Sequence, residues 1–214
     1  MAAGKVITGY SLPYVAKYNV TDGVVSYSDA QKLASGVSVN VSPEGSEDNN
    51  FYADNILAET DAGRFTGGTT TLVVGGLFIA AERFIMGLPA AGEDGWTAYG
   101  DDQQVPHVGI GFIVRYMSDG VTSYTPYVLA KNAFKPIEIE ANTQEAEIDW
   151  QTTSLEAATM RGDDANHNWK YVGADFATEA EAEAALRAKL GVTEQSGGGG
   201  EEPADPADPA EPEG

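Results

Sequence analysis

A mainly β fold with one or two flanking α-helices is what the sequence predicts, and three observations carry it. From Val108 to Tyr116 the even positions Val108, Ile110, Phe112, Val114 and Tyr116 are all apolar, while Gly109, Gly111, Ile113 and Arg115 fill the odd ones. That period of two is the pattern of a strand with one buried face. Asp119-Gly120 follows and favours a two-residue type I′ turn, since both central positions need positive φ, so residues 106–152 read as a long hairpin followed by two acid-bearing strands. Near the other end, Thr178 and Glu181 match a capping box, acids fill the first turns, Arg187 and Lys189 fall in the last and Gly191 follows. These are the start and stop signals of a helix over 179–190.

In chain order, residues 1–14 carry Gly4, Gly9 and Pro13 and read as an extended N-terminal arm that orders against a neighbour. A β domain is expected over 15–193. Val15–Val20 and Val24–Ser28, split by Asp22-Gly23, suggest a first hairpin. Val37, Val39 and Val41 alternate with Ser38 and Asn40 in a short strand expected to stop at Pro43. Residues 42–55 read as a loop, with Phe51 and Tyr52 able to begin another strand. Thr69–Val74 is a β-branched strand, after which Leu77, Ala81, Phe84, Ile85 and Leu88 share a helical face, with Gly87 at the C-terminal cap.

Residues 89–105 predict a long surface loop, with a brief strand at Trp96–Tyr99. Pro126 cannot donate to a ladder, so its strand is expected at an edge or beside a bulge. Ile137 and Ile139 alternate with Glu138 and Glu140, and Ile148, Trp150 and Thr152 with Glu147, Asp149 and Gln151. Both read as strands with carboxylates on one face. The helix at 179–190 has a thin apolar stripe, Ala182, Ala185, Leu186 and Leu190, which suits the flank of a sheet. Residues 194–214 combine a GGGG linker with an acidic, proline-rich repeat unable to bury a core, and disorder is expected there.

Composition narrows the function classes. The chain has 214 residues, ample for one sizeable core. It has 33 Asp+Glu against 12 Lys+Arg, a net charge of −21, which disfavours gripping a phosphate backbone. Seven acids and no base fall in 194–214, so the folded part is acidic in its own right. No cysteine is present, which excludes disulfides, thiol chemistry and Cys-ligated zinc. Neither a secretory leader nor a stretch of about 20 apolar residues is apparent, so synthesis and folding in the cytosol is the expectation.

Sites of chemistry are weakly indicated. Asp101-Asp102, Asp163-Asp164 and the pair Glu147 and Asp149 have the composition of a glycosidase acid and base, but adjacent acids are frequent in so acidic a chain and a solvated face is the expectation. His107 and His167 lie in no zinc-binding spacing. Residues 163–168, DDANHN, lack the glycine and terminal glutamate of an EF-hand loop and read as a turn. Nucleophile-elbow, P-loop and dinucleotide fingerprints are missing, so no cofactor and no catalysis are expected. Gly109 and Gly111 within a strand read as close backbone approach.

The segments SVNVSPEGSEDNNFYADN, TTTLVVGGLF with its helix, VGIGFIVRYMSDGVTSYTPYVLAKNAFKPIEIEANTQEAEIDWQT and FATEAEAEAAL together resemble a major tail protein of long-tailed, non-contractile bacteriophages, over about residues 5–192. The resemblance implies a β-sandwich or barrel with a flanking helix, and six-membered rings that stack into a tail tube through which DNA passes. It also implies a tape measure protein and a tail terminator as partners, assembly in the host cytoplasm and residence in the virion tail. Some relatives continue into an immunoglobulin-like exterior domain; here a Gly linker and acidic tail stand instead.

An acidic inner wall repels phosphates and lets DNA slide without specific binding. Glu138, Glu140, Glu147 and Asp149 are the candidate lining, the alternative being that they face outer solvent. The arm and the loops 42–55 and 89–105 are candidate contacts between subunits. Tyr10, Pro13, Phe51, Tyr52, Trp96 and Tyr99 are the residues proposed for them, with Pro126 on the expected edge strand as a further contact candidate. The competing reading is a carbohydrate-binding or adhesive β-sandwich module, for which Trp96, Tyr99, Tyr124 and Tyr127 would supply exposed aromatics.

Overall fold

Asp22-Gly23, Asp54-Asn55 and Asp119-Gly120 all take positive φ at both positions, and each makes the tight turn of an antiparallel hairpin. In the computed structural model, which describes residues 4–47, 49–61, 63–101, 103–143 and 150–192, these turns join three strand pairs. They are β1 (Val6–Thr21) with β2 (Val24–Lys32), β4 (Asn49–Ala53) with β5 (Ile56–Asp61), and β7 (Val108–Ser118) with β8 (Val121–Phe134). The other strands are β3 (Ala34–Gly45), β6 (Phe65–Leu77), β9 (Thr153–Met160) and β10 (Lys170–Val172). Helices α1 (Ile79–Met86) and α2 (Glu179–Lys189) complete a mainly β fold with two helices.

One antiparallel sheet runs in the order β2-β1-β7-β8-β9-β6-β3, with β10 added to β8. β8 is shared, pairing with β10 through Tyr127–Leu129 and with β9 through Lys131–Phe134. The sheet curls until its last strand returns toward its second. Leu33, just before β3, donates its N–H to the Pro13 carbonyl at 2.8 Å, and the Tyr10 ring lies against Gly36. Inside the curl sit Val15, Leu33, Leu72, Val74, Val108, Ile110, Phe112, Leu129, Phe134 and Leu155, capped by Ala81, Ile85 and Met86 of α1. α1 ends where Gly87 takes the left-handed conformation and returns its N–H to the last turn.

α2 covers the opposite face of the sheet. Ala182, Leu186 and Leu190 pack with Ala16, Ile113 and Val128 in a second cluster. β7 is therefore buried on both faces, from Val108 to Val114, where a single buried face was expected. Its odd positions make room: a Cβ at Gly111 would stand 2.8 Å from Leu186 and Leu190, and one at Gly109 would strike Tyr27. The capping box of Thr178 and Glu181 is formed in both directions.

A small polar network crosses the core. The Thr70 hydroxyl meets that of Thr159 at 2.6 Å, Thr159 donates to Asn132 Oδ1 at 2.9 Å, and the Asn132 amide donates to the Val108 and Leu129 carbonyls. All three side chains are buried, and the chain of bonds satisfies each of them.

Several expectations need correction. Residues 6–14 are no free arm: they are the first part of β1 and pair with β7, Tyr10 opposite Val114. β3 continues through Pro43, opposite Gly68, because β3 ends the sheet and its proline need not donate to a further strand. Pro126 lies in a central strand. Tyr124 exchanges backbone bonds with Phe176, so Pro126, two residues on, turns its missing N–H away from β7 while its carbonyl accepts from Gly173 at 2.8 Å.

No strand forms at Trp96–Tyr99, at 137–140 or at 150–152; the strand of this region, β9, begins at Thr153. Ile148, Glu147 and Asp149 lie outside the described residues, as does the tail from residue 193 onward. Among the described residues no helix is long and apolar enough to cross a membrane.

Candidate functional site

The segment expected to be a loop is a hairpin of its own. β4 and β5 form a separate two-stranded sheet whose substantial contacts are with each other. Tyr52 stands opposite Leu57, Ala53 opposite Ile56 and Phe51 opposite Glu59, with a bulge between the last pair and the Tyr52 pair. Phe51 is 63% exposed, Tyr52 61%, Ile56 70% and Leu57 50%. Successive side chains of a strand point to opposite sides, so Phe51 and Tyr52 make the hairpin apolar on both faces. A two-stranded hairpin is at best marginal alone in water, and this one pairs with no strand of the main sheet among the described residues.

The remaining contact candidates divide by burial. Trp96 and Tyr99 are exposed on the loop after α1. The Tyr99 hydroxyl donates to Glu82 at 2.6 Å, and that bond, with some burial, pushes its pKa up to about 12. Tyr10, Pro13 and Pro126 do not offer a surface. Tyr10 packs edge-on to Phe112 at 5.8 Å with its hydroxyl buried, and desolvation raises its pKa far above the usual phenol range. Pro13 and Pro126 are buried in the sheet. Tyr10 and Pro13 were candidates as part of an expected arm and Pro126 as part of an expected edge strand, but all three lie where the sheet is covered by another segment.

Of the carboxylate candidates, Glu138 and Glu140 are exposed on an extended segment outside any ladder, between the half-buried Ile137 and the open Ile139. Glu147 and Asp149 lie outside the described residues. The four aromatics of a carbohydrate platform are not gathered on one face: Tyr127 stacks on Phe112 at 5.6 Å and shares a 2.7 Å hydroxyl bond with Tyr116, whereas Trp96 and Tyr99 stand on the loop.

Asp163 and Asp164 have separate structural tasks. Asp163 accepts from Lys131 at 2.8 Å and from the Tyr18 hydroxyl at 3.1 Å, and the lysine holds its carboxyl below the usual range. A carboxyl kept ionised in this way is poorly suited to act as an acid. Asp164 accepts from the Asn168 backbone at 2.8 Å, which with the Gly162 to Asn168 backbone bond closes the turn over 162–168. Beside this cluster His107 is shifted down by burial and by Lys131. Among the described residues no group of three His, Asp or Glu side chains is placed to hold a metal ion.

Ile56 and Leu57 were not legible as contact residues, although Asp54-Asn55 between two apolar pairs was the available signal. Asp-Asn is a weaker hairpin turn than Asn-Gly or Asp-Gly because neither position is glycine. No protein-family model matches the chain, and no curated protein matches it significantly.

Proposed function

We propose that this chain is a structural virion protein, the major tail protein of a long-tailed phage, which polymerises through stacked rings of six into the tail tube. The observation that carries this reading is the β4–β5 hairpin, which exposes Phe51, Tyr52, Ile56 and Leu57 on a projection with no core of its own. A neighbouring copy would cover it, and a repeating subunit supplies that neighbour every time. The sheet also ends in β2 and β3, two margins to which strands of other copies can add. Net charge of −21 suits a bore that DNA traverses without adhering. In this reading Glu138 and Glu140 line the bore, a tape measure protein fills it before ejection, and a terminator closes the tube. Negative-stain images of the purified protein test it: rings or tubes with a central channel are expected, and a monodisperse monomer at high concentration overturns it.

A further inference from the structure

A groove of about 340 Å³ lies between α2 and the β8–β10 margin, floored by Pro126 and Val128, walled by Tyr171 and Phe176 on one side and by Leu186 on the other, with Lys189 at its rim. We infer that this groove is the docking site of the chain's own acidic proline repeat, residues 201–213.

Three observations fit that occupant. Its sequence is EEPADPADPAEPE, with Pro203, Pro206, Pro209 and Pro212 at every third position and Glu202, Asp205, Asp208 and Glu211 each one residue earlier. Polyproline II has three residues per turn and rises about 9 Å per turn, so in that conformation the prolines form one stripe and the acids an adjacent one. Grooves that take such a stripe are lined by aromatic and apolar side chains, as this one is by Tyr171, Phe176 and Pro126.

Charge is complementary at the rim. The exposed ammonium of Lys189 sits 4.1 Å from the centre of the Tyr171 ring, where it can meet a carboxylate one residue from a seated proline. Of the nearby acids, Asp175 is already paired with Lys5, and Asp164 accepts from Asn168 and from the Tyr171 hydroxyl. Reach can be bounded from chain length. α2 ends at Lys189, whose side chain lines the groove, the next residues Leu190 and Gly191 lie against Tyr27 of β2, and a glycine-rich coil of ten residues, the length of 193–202, spans about 17 Å on average. Such a tether gives an effective concentration on the order of millimolar, enough to fill a weak site from within the same chain. The inference does not depend on the tail-tube reading, since it concerns the subunit alone.

Hydroxyl-radical footprinting of three full-length chains tests it: the natural sequence, a variant with all four repeat prolines replaced by glycine, and Lys189→Glu. Tyr171, Val172 and Phe176 are expected to oxidise about threefold more slowly in the natural chain than in the glycine variant, as a tail docked two-thirds of the time requires. Lys189→Glu should give an intermediate rate, and added salt should narrow its difference from the natural chain. Equal rates in all three chains overturn the inference. So does protection that disappears on dilution, because the occupant would then be a second copy.

Discussion

Tyr52 and Leu57 face each other across the β4–β5 ladder, each at least half exposed, on a hairpin that forms a sheet separate from the main one. A cross-strand apolar pair of this kind stabilises a sheet by a fraction of a kcal/mol, which does not by itself explain two large side chains left in water. Changing Tyr52 and Leu57 to Ser is expected to leave the thermal midpoint nearly unchanged, since exposed substitutions usually stay within about 0.5 kcal/mol. Assembly should be lost. Sedimentation velocity of both proteins would report it, and normal assembly by the variant would remove the hairpin from the joint.

Thr159→Val removes the central link of the buried network while keeping its shape. Asn132 Oδ1 then has no donor and the Thr70 hydroxyl no acceptor. A cost of about 1–3 kcal/mol is expected in urea unfolding, the usual penalty for leaving a buried polar group unsatisfied. Thr70→Val should cost less, because Thr159 keeps its bond to Asn132.

The helix start gives a smaller effect. Thr178→Ala abolishes the bond from the Glu181 N–H to the threonine hydroxyl, so a loss of about 1 kcal/mol is expected from the cap. Thr178→Asp should restore most of it, which separates capping from packing.

Acid should weaken one tie between the residue just before β1 and the segment before α2. Lys5, then Thr125, holds the Asp175 carboxyl below its usual range. A carboxyl depressed in the folded state contributes stability above its unfolded value, about 4 for Asp, and loses it as pH falls through the lower folded value. Lys5→Met removes the larger cause. The fall in urea midpoint between neutral pH and pH about 3 is expected to be smaller in that variant than in the natural chain. An equal fall would mean that the ion pair contributes nothing in solution.

Reversing Glu138 and Glu140 to Lys tests the bore. Assembled tubes of the variant are expected to retain double-stranded DNA at low salt and release it as salt rises, because the new cations displace counterions from the phosphates. DNA passage unaffected at low salt would place these two acids on the outside.

Much of the fold was legible where local signals agree with tertiary structure. Asp119-Gly120, Gly87 and the Thr178 box each meet a local backbone requirement that the packing leaves intact. β9 was not legible, because its inward positions Leu155, Ala157 and Thr159 include only one large apolar residue. Conversely, Ile137 to Glu140 alternates without pairing: alternation describes which side of an extended chain is apolar and does not say that a partner strand lies beside it. The same gap explains the site. Tyr10 and Pro126 stood out by type, but their burial is decided by β3 and by residues 173–176, which are distant in sequence.

The claim that the hairpin is the joint between subunits is tested most directly by placing a photo-crosslinking phenylalanine analogue at position 52 and irradiating the assembled protein. Covalent dimers and higher multimers, with adducts mapping to a neighbouring subunit, are the expected result. Assembled particles that yield only uncrosslinked chains or adducts within one chain would contradict it.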